Sequence, residues 1–331
     1  MIPSRRGRRR PLVRRLALTA IVALASLVAP ALSAQPAPRE PVEATSLLGE
    51  PLYRPVPPGA ARERMEGQLA EARRAYHRAP GDADSIIWLG RRTAYLGRFN
   101  EAIGIYSNGI ARHPADARLY RHRGHRYLTT RQLARAVADF ERAYALTRGK
   151  PDEVEPDGQP NARNIPTSTL HGNVRYHLAL AHYLRGEFDR ALPLYREDVA
   201  ASTGNPDMLV ATSHWLYMTL RRLRRDGEAA AVLAPISREM DVIENGAYHR
   251  LLLLYKGQLA PAELLGDSTA ATGLDDVTTA YGVGNWHLYN GRPAEADVIF
   301  RQILKARSQW ASFAYLAAEA EMSRARRAPR R

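Results

Sequence analysis

His122 and His125 are the residues whose spacing comes closest to that of metal ligands. Residues three positions apart lie on the same face of a helix, so both imidazoles could reach one ion. No carboxylate lies at helical spacing beside them, and the nearby arginines Arg121, Arg123 and Arg126 would repel a metal cation. We therefore expect no metal site and no bound cofactor.

The sequence contains no matched set of residues for covalent catalysis. Ser213 and His214 are adjacent, and adjacent residues point in different directions on a helix, so they do not form a nucleophile and base. Gly282-Val283-Gly284 lies inside a helical pattern rather than after a strand, which argues against a dinucleotide-binding loop. The chain has no Cys, which excludes thiol chemistry and disulfides. We expect a protein that is not an enzyme.

The helices that carry these residues repeat along the chain. A glycine, an alanine and an aromatic residue each recur after 34 residues, at Gly90 and Gly124, Ala102 and Ala136, and Tyr106 and Phe140. Later copies keep part of the pattern, at Ala179, Gly186, Ala191 and Tyr195, at Leu216, Ala229 and Leu233, and at Gly284, Gly291, Ala296 and Phe300. Small residues let two helices approach closely, so we expect Gly90 to face Ala102 and the aromatic residues to fill the space between hairpins.

This pattern resembles the tetratricopeptide repeat (TPR), and the resemblance covers most of residues 61–323. It implies an all-α fold, a right-handed α-α superhelix of about six helical hairpins with a capping helix at each end. The expected repeats lie near residues 83–116, 117–148, 172–205, 210–242, 243–276 and 277–310.

One interval in the array is too long. Ala136 and Ala191 are 55 residues apart rather than 34, which places an insertion at residues 149–170, with four acidic residues and four prolines. Long loops inside compact arrays are often functional or disordered. Because the second repeat is rich in arginine, we expect the insertion to fold over the groove near Arg121 and to gate it or help bind the ligand. A plain surface loop is the alternative.

The two ends of the chain differ from the repeat region. Residues 1–34 combine seven arginines with an apolar run from Leu16 to Val28, which is typical of a signal peptide, with an uncleaved membrane anchor as the alternative. Residues 35–60 carry seven prolines and no helical periodicity, so we expect an extended linker. Residues 324–331 form a basic tail. The pattern predicts export to the periplasm or out of the cell, without stable membrane insertion after cleavage.

The formal net charge of +14 does not predict nucleic-acid binding, because the charge is concentrated at the ends. Seven arginines precede residue 16, and five lie among the last eight residues. The region between them is close to neutral, so we expect no nucleic-acid partner.

In the TPR family, the first helix of each hairpin lines a concave groove that holds an extended peptide or a partner helix. Aromatic and arginine side chains are common anchors of such interfaces. The groove positions, carried over by register, fall on eleven residues: Arg91, Tyr95, Arg121, His125, Tyr176, Tyr183, His214, Met218, Arg222, Asn285 and Tyr289. Some of these tyrosines could instead pack between helices.

The sequence therefore favours a non-catalytic binding scaffold that holds a peptide or protein segment of an envelope-assembly partner. The alternative is a helical receptor for a small molecule or glycan, with a groove lined by Tyr176, Tyr183 and Tyr289 and gated by the insertion. The identity of the partner and the oligomeric state stay open, because a repeat array specifies a shape rather than a ligand.

Overall fold

The computed structural model describes residues 40–265 and 273–327. The predicted signal peptide, the first part of the predicted linker and the last four residues of the basic tail lie outside these ranges. None of the described helices is both long and apolar enough to span a lipid bilayer. The described elements are, in chain order, β1 (Val42–Thr45), β2 (Pro51–Tyr53), α1 (Gly59–Arg78), α2 (Ala83–Tyr95), α3 (Phe99–Arg112), α4 (Ala117–Thr129), α5 (Leu133–Thr147), α6 (Leu170–Arg185), α7 (Phe188–Ala201), α8 (Pro206–Arg222), α9 (Asp226–Val232), α10 (Gly246–Tyr255), α11 (Pro261–Leu265), α12 (Leu274–Tyr289), α13 (Pro293–Ile303) and α14 (Phe313–Arg327).

Within the described ranges, helices α2 to α13 pair in chain order into six hairpins, from α2–α3 to α12–α13. Helices α1 and α14 stand before the first hairpin and after the last. The predicted all-α class, with about six helical hairpins and a helix at each end, is confirmed. Helix α11, the second helix of the fifth hairpin, covers the five described residues Pro261–Leu265, and the residues that follow it, 266–272, lie outside the described ranges. The insertion occupies the connection between α5 and α6.

Local sequence signals begin and end several of these helices. The Asp82 side chain accepts a hydrogen bond from the Ser85 backbone N–H at 2.8 Å, which satisfies a free donor in the first turn of α2. Gly97, Gly186 and Gly291 follow first helices with φ of 73°, 80° and 76°. Glycine adopts this left-handed conformation at little cost, so these positions turn the chain into the second helix.

The repeated glycines make room for the repeated aromatic residues. A Cβ atom added to Gly90 would lie 2.4 Å from Tyr106, and one added to Gly124 would lie 3.0 Å from Phe140. We expected Gly90 to face Ala102, but its closest neighbour is the aromatic ring one turn further along α3. The ring therefore packs directly against the backbone of the first helix.

The prediction of an extended linker is wrong for residues 42–53. Strands β1 and β2 form an antiparallel pair, and Leu52 is buried. The Glu43 carboxylate accepts hydrogen bonds from Arg54 and from the Asn100 backbone, and the Trp310 indole N–H donates to the Tyr53 carbonyl at 2.8 Å. These contacts with α3 and with the segment before α14 supply tertiary partners that proline content alone does not reveal.

The first helices of successive hairpins form an inner layer, and α14 continues this layer beyond α12. Helix α14 also contacts α6 in the third hairpin, and α12 contacts α8 in the fourth. Nine consecutive residues of α14, from Ala314 to Met322, are buried. The described array therefore closes on itself, with α14 packed on its inner side.

Two carboxylates fasten α14 to distant parts of the array. Glu319 forms an ion pair of 2.8 Å with Arg131 in the turn between α4 and α5, and both side chains are almost completely buried. Glu319 also accepts a hydrogen bond from the Leu47 backbone N–H at 3.1 Å. Glu321 pairs with Arg222 of α8 at 2.7 Å. These contacts link two hairpins, α4–α5 and α8–α9, and the turn between the N-terminal strands through one helix.

Candidate binding face of the first two hairpins

Five of the predicted groove residues lie inside the closed half of the array. Tyr183, His214, Met218 and Asn285 have no exposed surface. Asn285 Nδ2 donates to Tyr183 Oη at 2.8 Å and lies 3.0 Å from Met218 Sδ. Arg222 pairs with α14, as described above. The prediction that these five residues line an open groove is wrong, because α12 and α14 fold against α6 and α8.

Tyr176 and Tyr289 also pack within the chain. Tyr176 is buried and meets Tyr195 edge to face, with ring centres 6.3 Å apart. Tyr289 is half-buried, and the Arg221 guanidinium lies 4.5 Å from its ring centre. Together with the burial of Tyr183, these contacts mean that the tyrosine-lined glycan groove considered from the sequence is not formed.

The four predicted groove residues of the first two hairpins lie together on α2 and α4. Arg91 Nε donates to Tyr95 Oη at 3.3 Å, and Arg121 and His125 stand on the adjacent helix α4. Arg126 of α4 joins them: burial lowers its pKa, and the charges of Arg121 and Arg91 lower it further. We call Arg91, Arg121 and Arg126 the arginine cluster.

The arginine cluster carries more positive charge than its surroundings neutralise. Arg121 Nε lies 3.0 Å from Glu155 Oε2 of the insertion, and both side chains are 10% exposed. Within residues 40–265 and 273–327, Arg91 and Arg126 form no ion pair. The Arg91 guanidinium lies instead over the Trp88 ring, 4.5 Å from its centre. Two buried or half-buried cations therefore lack a carboxylate, which is costly unless an anion is available.

The histidines beside the cluster are neutral and add no charge. Burial lowers the pKa of His122 and His125 well below the usual value, and neighbouring arginines lower it further. Burial likewise lowers the pKa of His177 to about 3. The His125 ring packs 4.8 Å from that of His177. The positive charge of this region therefore comes from guanidinium groups alone.

One part of the insertion lies along the arginine cluster. Glu155 contacts Arg121, and its second oxygen is 3.7 Å from His122 Nε2. Three residues later, the Gly158 carbonyl accepts a hydrogen bond from Arg92 at 2.6 Å. A Cβ on Gly158 would collide with the Tyr95 hydroxyl, so the insertion backbone touches that side chain. The expected contact between the insertion and Arg121 is present.

The other part of the insertion reaches the loop before α10. Arg163 forms an ion pair of 2.7 Å with Asp241, and both side chains are exposed. Asn161 and Thr167 donate to the two oxygens of Glu244 at 2.8 and 2.6 Å. The insertion therefore links the first two hairpins to the fifth.

Polar contacts hold the insertion in place, whereas its large aliphatic side chains face solvent. Val154 is 61% exposed and Ile165 is 49% exposed. Asp157 lies between two charges: burial and Glu244 raise its pKa, whereas Arg91 lowers it. Asp157 Oδ2 has no hydrogen-bond partner in the described part of the chain. The insertion thus covers the cluster with an incomplete set of electrostatic contacts.

Two clefts border the cluster. One, of about 170 Å³, is lined by Trp88, Arg91 and Glu155 among other residues. The other, of about 280 Å³, lies between His125, Tyr248 and Phe313. Within the described ranges, no group of three or more His, Cys, Asp or Glu side chains is arranged to hold a metal ion. These clefts offer charge and shape to a ligand.

The groove positions expected from the sequence did not include Arg126, and the sequence did not identify Glu155 as a contact of Arg121. Arg126 lies outside the groove register, although the density of arginines in α4 was a signal for it. The acidic stretch of the insertion was recognised, but which of its carboxylates meets Arg121 depends on the path of the loop. Sequence spacing therefore located the face and left its electrostatic pairing undetermined.

No protein-family model matches the chain, and no curated protein matches it. Among solved structures, the chain is similar to YrrB, described as a TPR protein with an unusual peptide-binding site, at 15% identity and a TM-score of 0.40, covering 76% of this chain and 97% of that one. It is also similar to BtubC from P. vanneervenii at 16% identity and a TM-score of 0.42, covering 81% of this chain and 93% of that one. The fold assignment rests on the six helical hairpins themselves.

Proposed function

We propose that this protein is a non-catalytic binding scaffold that holds a polypeptide segment of a protein partner on the inner face of its first two hairpins. One observation carries the proposal. Residues 152–158 of the chain itself lie on that face without helical structure, with Glu155 on Arg121 and the Gly158 backbone on Arg92 and Tyr95. A face that accommodates this segment is wide enough for an extended polypeptide and has the hydrogen-bond donors that a segment of a partner protein needs.

The chemistry of the face suits a polypeptide. Arginines offer planar arrays of donors to carboxylates and carbonyls, and burial strengthens these bonds relative to bonds in water. Tyr95 provides a flat surface against which a backbone packs. Arg91 and Arg126 form no ion pair in the described part of the chain, so both guanidinium groups remain available to carboxylates of a partner segment.

We further propose that the protein acts outside the cytoplasm, in the periplasm or the extracellular space, on a partner of an envelope assembly. The arginine-rich, then apolar, pattern of residues 1–34 supports export. Immunoblots of fractionated cells that express the full chain provide the test. Retention of the whole protein at full length in the cytoplasm would refute this part of the proposal.

A peptide-display selection against the full chain tests the binding proposal. We expect enriched linear peptides whose affinity falls at least about tenfold when Arg91 and Arg121 are both changed to Ala, because the loss of even one charge-assisted contact costs about 1.5–3 kcal/mol. Arg301→Ala removes an exposed arginine of α13 and serves as the matched control. Enrichment that is the same for the wild type and the double variant would place binding elsewhere.

The small-molecule receptor remains the competing function, because the cleft beside His125 has room for a small ligand. Native mass spectrometry of the purified full chain separates the two possibilities. A stoichiometric small ligand that survives purification, together with a failed peptide selection, would favour the receptor.

A further inference from the structure

We propose that the insertion is an intramolecular stand-in for the partner, so that the face recognises an acidic, non-helical segment and opens only when such a segment displaces residues 152–158. This inference rests on the proposed function and names both the chemistry of the partner and the regulation of the site. It is based on three features of the insertion: its acidic residues, the arginines of the cluster that it leaves without an ion pair, and the exposed contacts that hold it on the array.

The charge of the resident segment matches the face. Residues 152–157 contain four carboxylates, and Glu155 reaches Arg121 at 3.0 Å. Asn173 also binds this carboxylate, since its Nδ2 donates to Glu155 Oε2 at 2.9 Å. Arg91 is close enough to Asp157 to lower its pKa. An acidic segment is therefore the kind of chain that this face already accepts.

The pairing of the resident segment leaves room for a better ligand. The cluster holds three guanidinium groups, but only Arg121 has an ion pair in the described part of the chain. Asp157 approaches Arg91 without forming one. A partner segment with carboxylates spaced to reach Arg91 and Arg126 as well would form charge-assisted bonds that the insertion does not form.

The way the insertion is held allows displacement. Its exposed Val154 and Ile165 bury little apolar surface, and its link to Asp241 lies in solvent. Exposed ion pairs of this kind contribute about 0–1 kcal/mol. A tethered segment nevertheless acts at an effective concentration on the order of millimolar, so it weakens the apparent affinity for any competing segment. The insertion thereby sets the minimum affinity that a partner segment needs in order to displace it.

A variant with a shortened insertion exposes the face for testing. Val154 and Thr169 form an isolated antiparallel bridge, so residues 155–168 can be replaced by Gly-Gly as a two-residue hairpin loop. The probe is a synthetic peptide with the sequence of residues 151–160, PDEVEPDGQP. Isothermal calorimetry with the full chain and with the shortened full chain measures its affinity.

We expect the peptide to bind the shortened variant at least about tenfold more tightly than the wild type, since the tethered competitor is gone. A matched peptide with Gln and Asn in place of Glu155 and Asp157 should bind about tenfold more weakly. Adding Arg91→Ala and Arg121→Ala to the shortened variant should have the same effect, whereas adding Arg301→Ala should have none.

Several results would overturn the inference. Equal affinity for the wild type and the shortened variant means that the insertion does not compete. Equal binding of the charged and neutralised peptides means that acidity is not recognised. Inorganic phosphate that competes with the peptide at a similar concentration assigns the cluster to a small anion. If displayed peptides bind but this probe does not, the stand-in fails while the proposed function survives; if no peptide binds, the proposed function fails.

A second variant covers the case in which the shortened chain does not fold. Glu155→Gln with Asp157→Asn keeps the full length of the insertion and neutralises the two carboxylates that interact with Arg121 and Arg91. We expect the peptide to bind this variant several-fold more tightly than the wild type, and unchanged affinity would contradict displacement.

Discussion

The insertion and α14 both cover the inner side of the array, but different forces hold them. The insertion is fastened by hydrogen bonds and ion pairs, and its aliphatic Val154 and Ile165 are exposed. Helix α14 buries nine consecutive residues and adds the enclosed Arg131–Glu319 pair. Polar contacts therefore hold the insertion, which we propose to be exchangeable, whereas buried apolar side chains and an enclosed ion pair hold α14.

The insertion and α14 differ in how much free energy each segment gains when it becomes ordered on the array. Fixing the backbone of one residue costs about 1–2 kcal/mol, and a net hydrogen bond returns about 0.5–1.5 kcal/mol. A buried aliphatic or aromatic side chain returns about 1.5–3 kcal/mol. For α14, the free energy gained by burying side chains therefore exceeds the free energy lost by ordering the backbone. For the insertion, which has few buried apolar groups, the two free energies are nearly equal.

Removing each cover in turn should give the largest contrast. We expect a chain that ends at Ser312 to lose its cooperative unfolding transition, because the lost burial exceeds a typical net stability of about 5–15 kcal/mol. Replacing residues 155–168 by Gly-Gly should change the free energy of unfolding by only about 1 kcal/mol. Urea unfolding followed by circular dichroism measures both. Similar losses in the two variants would remove the distinction between the covers.

We expect the same difference in stability, with smaller values, when one ion pair of each segment is removed. We expect Glu319→Ala to lower the free energy of unfolding by about 3–5 kcal/mol, because Arg131 is left charged and buried. Asp241→Ala, which breaks the exposed pair with Arg163, should cost at most about 1 kcal/mol. Chemical unfolding of both variants measures these two changes in the free energy of unfolding. A decrease for Asp241→Ala as large as that for Glu319→Ala would contradict the prediction.

Acid should weaken the packing around α14. Burial lowers the pKa of His177 and of His214 to about 3, and His177 packs against Phe313 at the start of α14. An unfolded chain binds these protons below about pH 6.5, so stability is complete above that value and is lost as pH falls toward 3. Each histidine should remove about 2 kcal/mol between pH 7 and 5.

A buried carboxylate opposes this effect. Burial raises the pKa of Asp198 to about 6, so its contribution destabilises the fold as pH rises from about 4 to 6 and returns about 1 kcal/mol between pH 7 and 5. These three groups together should remove about 3 kcal/mol between pH 7 and 5, and the lowered pKa values of His122 and His125 should add to that loss. Urea unfolding measures the total. Unchanged stability between pH 7 and 5 would show that these histidines are accessible to protons in the folded state.

The sequence predicted the N-terminal part of the candidate site better than the C-terminal part. Arg91, Tyr95, Arg121 and His125 lie together on α2 and α4, because the repeat period sets how neighbouring hairpins pack. That these four residues bind a partner stays a prediction. Tyr183 and its buried partners failed as groove residues. Their exposure depends on whether hairpins far apart in the chain meet, and a local period carries no information on that.

The sequence by itself determined the helical hairpins, the turns at glycine and the place of the insertion. These features depend on spacing and side-chain size within about one repeat, so the order of residues is enough to specify them. Only the tertiary structure decided that α14 fills the inner side, that Glu319 meets Arg131 and that Glu155 meets Arg121. Those contacts join residues 188 and 34 positions apart, and they arise from curvature accumulated over several hairpins together with the path of one loop.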